Sequence, residues 1–368
     1  MNAPGHHDHA TRLLHVVLGA TLLLASVVSP ARAGSATDTV LPLQVSTVPP
    51  PPANADLNPY GLAVVPKKFP GPTIRPGQLL VSNFNDANGS QGMGSTIIFV
   101  DPASGATALF FQGTAPIGFT NALTVAEAGF VFAGSVFTTD GVTGQPGPLF
   151  VIDKNGAEVT RLNASQKING PWGMALNDLG KTAQLFVSNV FDGTITRLTV
   201  SLEHGAFSVI GTPLTIASGY KFGPDPTAVV VGPAGLAYDR DNDILYVAAE
   251  ADNAIFAVPR AGHTAVDLGM GTLVFADSTQ LHGPLGLILT PDKHLITANA
   301  DPTSVSSTAG PSEIVEFTVS GNLVRSFSID SASGSAFAIN LVHKGNVDQF
   351  SYVDDAQATL SILRLSSH

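Results

Sequence analysis

The 368-residue sequence contains no cysteine and a single tryptophan, and only 12% of its residues are charged. Without cysteine the chain can form no disulfide and has no thiol nucleophile, so its stability must come from packing. Lys and Arg number 17 against 28 Asp and Glu, and they form no basic run. Because nucleic-acid binding needs clustered positive charge, the net charge of −11 argues against nucleic acid as a partner.

The sequence also lacks the short motifs of common enzyme classes. It contains neither a Gly-x-Ser-x-Gly nucleophile elbow nor a glycine-rich phosphate loop. A hydrolase or lyase built on this chain would therefore depend on a metal ion with a His or a carboxylate. Hydrophobic residues are plentiful at 44%, and 37 Gly and 26 Pro are spread along the chain. This composition predicts a large core, many tight turns and few long helices.

The first 33 residues have the features of a cleaved secretory signal. Arg12 precedes an apolar run from Leu13 to Val28, and Ala31-Arg32-Ala33 offers a small-x-small cleavage site. The alternative is a membrane anchor, but about 16 apolar residues are fewer than the roughly 20 that a span needs. We predict cleavage after about Ala33, no stable membrane span in the mature chain, and a periplasmic or secreted location.

A short pattern of a Pro, a variable residue, a Gly and an apolar run recurs along the chain. Weaker copies lie near residues 119–123 and 335–339. Repeats of roughly 40–60 residues, each holding several short strands, are typical of β-propellers. We predict an all-β, six-bladed propeller of four-stranded antiparallel blades over residues 57–368. The clear copies are Pro59-Tyr60-Gly61, Pro171-Trp172-Gly173, Pro233-Ala234-Gly235 and Pro284-Leu285-Gly286.

Residues 34–56 precede the first repeat and contain two different segments. Residues 40–47 alternate well enough for an edge strand, and Pro49 to Pro52 favour a stiff polyproline connector. The last repeat offers only three strands before the chain ends. We therefore predict that residues 40–47 supply its outer strand and close the ring, the alternative being a disordered leader.

The repeats resemble NHL-type repeats of six-bladed propellers, as in Pro171–Leu176 followed by Leu185–Leu198. The segment Asn58–Pro66 is similar to the start of exported bacterial NHL-like proteins. More distantly, the chain resembles the gluconolactonase/senescence-marker family and the streptogramin B lyases. The lactonase resemblance implies a divalent cation held at the channel by Asn, Asp and Glu. No Glu near the start of the first blade matches that family's ligand.

Two sets of polar residues are expected on one face of the ring, because the innermost strand of each blade leaves this face and the second strand returns to it. The second-strand ends supply oxygen atoms that suit Ca²⁺ or Mg²⁺. Alternatively, these side chains cap strand ends through hydrogen bonds to turn backbone. The candidate metal ligands are Asn83, Asn189, Asn299 and Asp354, with Gly134 at the corresponding position of the second blade.

The second set lies around the loops that lead into the innermost strands. His282 replaces the Asn or Gly of other repeats, so we interpret it as a candidate general base or metal ligand. A surface His without a role is the alternative, and core packing is the alternative for Trp172. The candidate ligand-binding residues are Asn58, Asn121, Asn169 and Trp172, together with Glu250, which lies just past the second-strand end of the fourth blade.

Two functions are compatible with these patterns. The first is an exported propeller that binds a protein or a small molecule on its loop face. The alternative is a divalent-metal-dependent lactonase, esterase or lyase at the channel mouth, with one Ca²⁺ or Mg²⁺ as its cofactor.

Overall fold

The computed structural model describes residues 45–47, 54–300, 313–329, 334–344 and 347–366. The predicted signal segment, residues 40–44 of the predicted closing strand and the polyproline connector lie outside these ranges. Within them, no helix has the length and apolar character needed to cross a membrane.

Six four-stranded antiparallel sheets form the blades, as the repeats predict. The first three blades occupy residues 57–218. Blade 1 comprises β2 (Leu57–Val64), β3 (Leu79–Asn85), β4 (Thr96–Val100) and β5 (Thr107–Gln112). Blade 2 comprises β6 (Phe119–Ala126), β7 (Phe130–Phe137), β8 (Gln145–Asp153) and β9 (Glu158–Leu162). Blade 3 comprises β10 (Pro171–Asp178), β11 (Thr182–Asn189), β12 (Thr194–Ser201) and β13 (Ser208–Ser218).

The remaining blades follow a short hairpin of β14 (Gly223–Asp225) and β15 (Val229–Val231). Blade 4 comprises β16 (Pro233–Asp239), β17 (Ile244–Ala249), β18 (Ala254–Pro259) and β19 (Thr272–Phe275). Blade 5 comprises β20 (Pro284–Leu289), β21 (His294–Asn299), β22 (Glu313–Thr318) and β23 (Leu323–Ser328). Blade 6 comprises β24 (Ala336–Lys344), β25 (Val347–Asp354), β26 (Thr359–Ser366) and β1 (Val45–Thr47). Three 3₁₀ turns cover Ala164–Gln166, Glu203–Gly205 and Glu250–Asp252.

An N-terminal strand completes the last blade. Strand β1 pairs antiparallel with β26, and Val45 lies opposite Ile362. The innermost strand β24 of this blade contacts β2 of the first blade, so the ring is closed. The closing-strand prediction is therefore confirmed for residues 45–47.

The ring has two faces, which we name by their connections. The loop face carries the loops into the innermost strands and the loops between second and third strands. The turn face, on the opposite side, carries the turns between the first two and the last two strands of each blade.

The glycine of the repeat is required by contact between neighbouring blades. A Cβ atom on Gly173 would overlap the carbonyl oxygen of Ala234 in the next blade, and one on Gly235 would overlap that of Leu285. Side chains of the second strand strengthen the same contact, because the Ser188 hydroxyl donates to the Ala234 carbonyl at 2.7 Å. The glycine of the Pro-x-Gly pattern thus lies where the innermost strands of adjacent blades are in contact.

The variable residue between that Pro and Gly is buried in every clear repeat. The variable-position residues of five blades meet in one apolar cluster near the loop face, together with Phe84 and with Val229 and Val230 of the β14–β15 hairpin. The Tyr60 ring lies 4.5 Å from the Phe337 ring and 5.5 Å from the Trp172 ring, measured between centroids. We call this cluster the axial plug. Its variable-position members are Tyr60, Trp172, Ala234, Leu285 and Phe337.

One feature of the fold was not predicted from the sequence. The β14–β15 hairpin was missed, because Gly223-Pro224-Asp225-Pro226 has the composition of a loop. Its turn is organised by Asp225, whose carboxylate accepts the backbone N–H of Thr227 at 2.8 Å.

Candidate functional site

The axial plug fills the loop-face half of the channel, where the sequence places a ligand-binding mouth. Trp172 is completely buried, with its ring 5.9 Å from that of Phe84. Glu250, at the end of the second strand of blade 4, is also completely buried. The Trp172 indole N–H interacts with the Glu250 carboxylate, but neither group makes a hydrogen bond of good geometry. The structure thus brings these two predicted residues together inside a closed cluster.

Burial, and to a smaller extent neighbouring carboxylates, raises the pKa values of ionisable groups around the plug. Burial raises the pKa of Glu250 well above its ordinary value, and the nearby Asp225 adds to this shift. Burial, followed by the charge of Asp354, raises the pKa of Asp355 to about 6. Tyr60 has a raised pKa through burial and through the charges of Glu250 and Asp355. The cluster therefore favours protonated carboxyl groups.

These shifts predict a pH-dependent stability. Between about pH 4 and pH 6, folded Asp355 retains a proton that the unfolded chain has released, so the free energy of unfolding falls as pH rises. A shift from 3.8 to about 6 corresponds to about 3 kcal/mol over the whole window. Glu250 acts in the same direction. We expect urea denaturation to show this fall, and Asp355→Asn to reduce it.

The matched control for that experiment is Asp140→Asn. Asp140 is an exposed residue of the loop face whose pKa is lowered to about 2, mainly by a hydrogen bond from the Thr143 backbone. The Asp140→Asn substitution should leave the slope of the free energy of unfolding against pH unchanged between pH 4.5 and 7.5. If the Asp355→Asn protein shows the wild-type slope, the pH dependence of stability does not arise from Asp355.

The Asn residues predicted as metal ligands are hydrogen-bonded within their own blades. The Asn189 amide donates to the Lys167 carbonyl at 3.1 Å, and its oxygen accepts the Asn169 backbone N–H at 2.9 Å. The Asn299 amide donates to the Gln280 carbonyl at 2.8 Å, and its oxygen accepts the His282 N–H at 3.1 Å. Each side chain therefore anchors the loop that precedes its blade.

The other two predicted metal ligands also make hydrogen bonds within the protein. Asn83 donates to the Thr96 hydroxyl at 3.0 Å, and Asp354 accepts the Gln357 backbone N–H at 3.1 Å. In blade 2 the equivalent position is Ser135, which lies opposite Phe119, so the assignment of Gly134 was wrong by one residue. An extra residue in β6 causes this offset.

These contacts do not fit a divalent-cation site. Among the residues that the structure describes, no group of three or more His, Asp and Glu side chains could hold a metal ion. The amide oxygens of Asn189 and Asn299 already accept backbone N–H groups. The contacts favour the strand-capping alternative, and metal binding by Asn83, Asn189, Asn299 and Asp354 stays a prediction.

His282 lies beside an acidic residue that the sequence analysis did not single out. Its Nδ1 is 3.6 Å from a carboxylate oxygen of Glu313, and both side chains are largely buried. The Asn299 amide is 3.4 Å from the same carboxylate. His282 therefore lies near Asn299, and its catalytic role stays a prediction.

The other predicted binding residues do not form one site. Asn58 is buried with a positive φ of 59°, and Asn169 donates to the Asp192 carboxylate at 3.0 Å. Asn121 does not lie in a loop that leads into a blade. It lies within β6 and lines the channel below the axial plug, on the side of the turn face.

Charge is distributed unevenly between the two faces. In the described loop-face connections, nine acidic residues are accompanied by two basic ones. In the described turn-face connections, seven acidic residues are accompanied by eight basic ones. The loop-face residues are Asp56, Asp86, Asp140, Asp192, Asp225, Glu250, Asp252, Asp277 and Asp355, with Lys167 and Lys221.

Solved propellers with similar folds were found by structural comparison. A gluconolactonase from Xanthomonas campestris has a TM-score of 0.52 and 12% identity, covering 84% of this chain and 87% of the other. A calcium-binding regucalcin from Agrobacterium tumefaciens strain C58 has a TM-score of 0.52 and 12% identity, covering 85% and 92%. No protein-family model and no curated protein matches the chain. At this identity the similarity shows the fold alone, and at that level the predicted resemblance is confirmed.

Proposed function

We propose that this protein is a binding propeller whose loop face takes a positively charged polypeptide segment. The observation that carries the proposal is the charge difference between the faces. Asp56, Asp225 and Glu250 are buried, which leaves six acidic and two basic residues at the loop face, against seven acidic and eight basic residues at the turn face. A surface of one sign attracts a partner of the opposite sign and orients it during encounter. A segment rich in Lys and Arg is the partner with matching chemistry.

The accessible part of the loop face also offers apolar contacts. Val142 is 69% exposed and Phe222 is 50% exposed, and Asp140 and Asp192 lie in the same set of connections. Lys and Arg side chains carry apolar stems, and their charged groups bind the faces of aromatic rings. An exposed phenylalanine on an acidic face therefore suits such side chains.

The metal-dependent enzyme is less well supported by the geometry. The axial plug closes the mouth at which a lactonase-type site was expected, and the candidate Asn ligands are hydrogen-bonded to their own loops. The similarity to a gluconolactonase supports this alternative only through the shared fold.

Binding can be measured by fluorescence anisotropy with a labelled peptide of alternating Lys, Arg and Gly. We expect saturable binding at an ionic strength of about 0.05 M and weaker binding at about 0.3 M, because salt shortens the screening length. A peptide of equal length with Glu in place of Lys and Arg is the control and should not bind. Equal binding of both peptides, or no binding of the basic one, would refute the proposal.

A further inference from the structure

The channel contains a second candidate site, on the opposite side of the axial plug from the loop face. A cavity of about 390 Å³ lies there, lined by the innermost strands of the six blades. Below the plug these strands carry small residues near the axis, including Ala63, Ala175 and Ala237. Cavities of roughly 300–1,000 Å³ are the usual size for small-molecule sites.

Three polar side chains line one side of this cavity. Asn121 and Thr124 belong to β6, and Asn340 belongs to β24. Strand β2 contacts both of these strands, so the three residues come from blades on either side of blade 1. None of their side chains has a hydrogen bond to another residue in the described part of the chain. They are half-buried and free to bind a molecule in the channel.

The positions of the two Asn residues indicate that they are departures from the repeat. Asn340 occupies the register position that holds Ala63, Ala175 and Ala237 in other blades. Asn121 lies in the irregular stretch of β6 between the paired residues Phe119 and Leu123, where this blade has its extra residue. The repeat therefore does not require an amide at either position.

The other side of the cavity is mostly apolar, and the hydroxyl of its one polar side chain, Tyr238, donates to Asp243 at 2.9 Å. Met174, Leu236, Leu287 and Ile288 come from blades 3, 4 and 5. No charged side chain is among the described residues that line the cavity. A charged ligand would lose hydration here without gaining a counter-charge, which disfavours ions.

We propose that this cavity binds a small uncharged molecule that carries an amide-like group at one end and an apolar body. A side-chain amide both donates and accepts hydrogen bonds, so Asn121 and Asn340 can pair with the carbonyl and N–H groups of such a ligand. The apolar body would contact Met174 and the leucines opposite. This site is separate from the loop face, and either proposal can fail without the other.

Benzamide, benzoate and benzamidine test this proposal, because they have the same size and differ in charge. The probe is the full chain with ¹³C-labelled methionine methyl groups, observed by NMR. Met174 lines the cavity, whereas Met93 lies on the loop face and Met270 packs in blade 4. We expect benzamide to shift the Met174 signal saturably, with no change at Met93 or Met270 and no saturable effect of the two ions.

Single variants then locate the hydrogen bonds. Asn121→Ala and Asn340→Ala should each weaken benzamide binding by roughly three- to tenfold, the value of one hydrogen bond. The matched control, Asn88→Ala on the loop face, should bind as the wild type does. The Met93 and Met270 signals show whether each variant is folded.

Three results would overturn the proposal. They are an unchanged Met174 signal at saturating benzamide, equal affinity for the charged analogues, and wild-type affinity in both Asn variants. The first two are measured on the wild-type protein and do not depend on the folding of a variant.

Discussion

Replacing Gly173 by Ala is expected to lower the free energy of unfolding by about 3 kcal/mol or more. The added methyl group would overlap the carbonyl carbon and oxygen of Ala234, which belong to the backbone of the next blade. Because backbone on an innermost strand cannot rotate away as a side chain can, blades 3 and 4 would have to separate. Separation would also break the hydrogen bond from Ser188 to Ala234.

Gly223→Ala is the matched control for this substitution. Gly223 also lies in a strand, but no atom would come within 4 Å of its added Cβ. Its stability should change by less than about 0.5 kcal/mol, as is usual for surface positions. Urea denaturation of both variants measures the difference. Equal stability of Gly173→Ala and Gly223→Ala would show that the Pro-x-Gly pattern does not mark the contact between blades.

Trp172→Ala is expected to cost about 3–5 kcal/mol, the usual range for removing a large aromatic core residue. Trp172 is fully buried in the axial plug, where its ring contacts the rings of both Tyr60 and Phe84. Its loss would leave a cavity and would remove the indole N–H that faces the buried Glu250 carboxylate. The plug contains residues from all six blades, so this change should loosen the whole ring.

Phe222→Ala serves as the control, because Phe222 is large, aromatic and half-exposed on the loop face. Thermal unfolding should show a large loss of stability for Trp172→Ala and little change for Phe222→Ala. A loss below about 1 kcal/mol for Trp172→Ala would mean that the mouth of the channel is open rather than plugged.

The repeat pattern was sufficient to predict six blades and the closing strand, because both depend on local sequence. Each blade needs a Gly where it touches its neighbour, and the short C-terminal repeat indicates a missing strand. The pattern did not show the direction of each side chain. Trp172 was a candidate ligand-binding residue with core packing as the alternative, and its complete burial beside Tyr60 in the axial plug favours core packing.

The candidate site was harder to predict, because the sequence does not show which partner each polar side chain contacts. Asn residues at strand ends can bind a ligand or anchor a loop, and only the hydrogen bonds of Asn189 and Asn299 distinguish these uses. Asn340 was missed because the sixth repeat has lost its Pro and Gly, which hides the register. Aligning it with Ala63 and Ala175 would have identified it as an exception to the repeat.

Binding of a basic segment on the loop face, rather than at the channel mouth, should depend on the accessible carboxylates of that face. A triple variant Asp140→Asn, Asp192→Asn and Asp277→Asn removes three accessible charges from the loop face. The triple variant Asp241→Asn, Asp267→Asn and Asp292→Asn removes three accessible charges from the turn face. Both change the net charge of the protein equally, so they separate local from overall electrostatics.

The most direct measurement is the affinity of the basic peptide for these two proteins at low ionic strength. Exposed charge pairs contribute up to about 1 kcal/mol each, so the loop-face variant should bind roughly tenfold more weakly than wild type or worse. The turn-face variant should bind nearly as well as wild type. Equal weakening of both variants would show attraction by net charge alone and would contradict a binding site on the loop face.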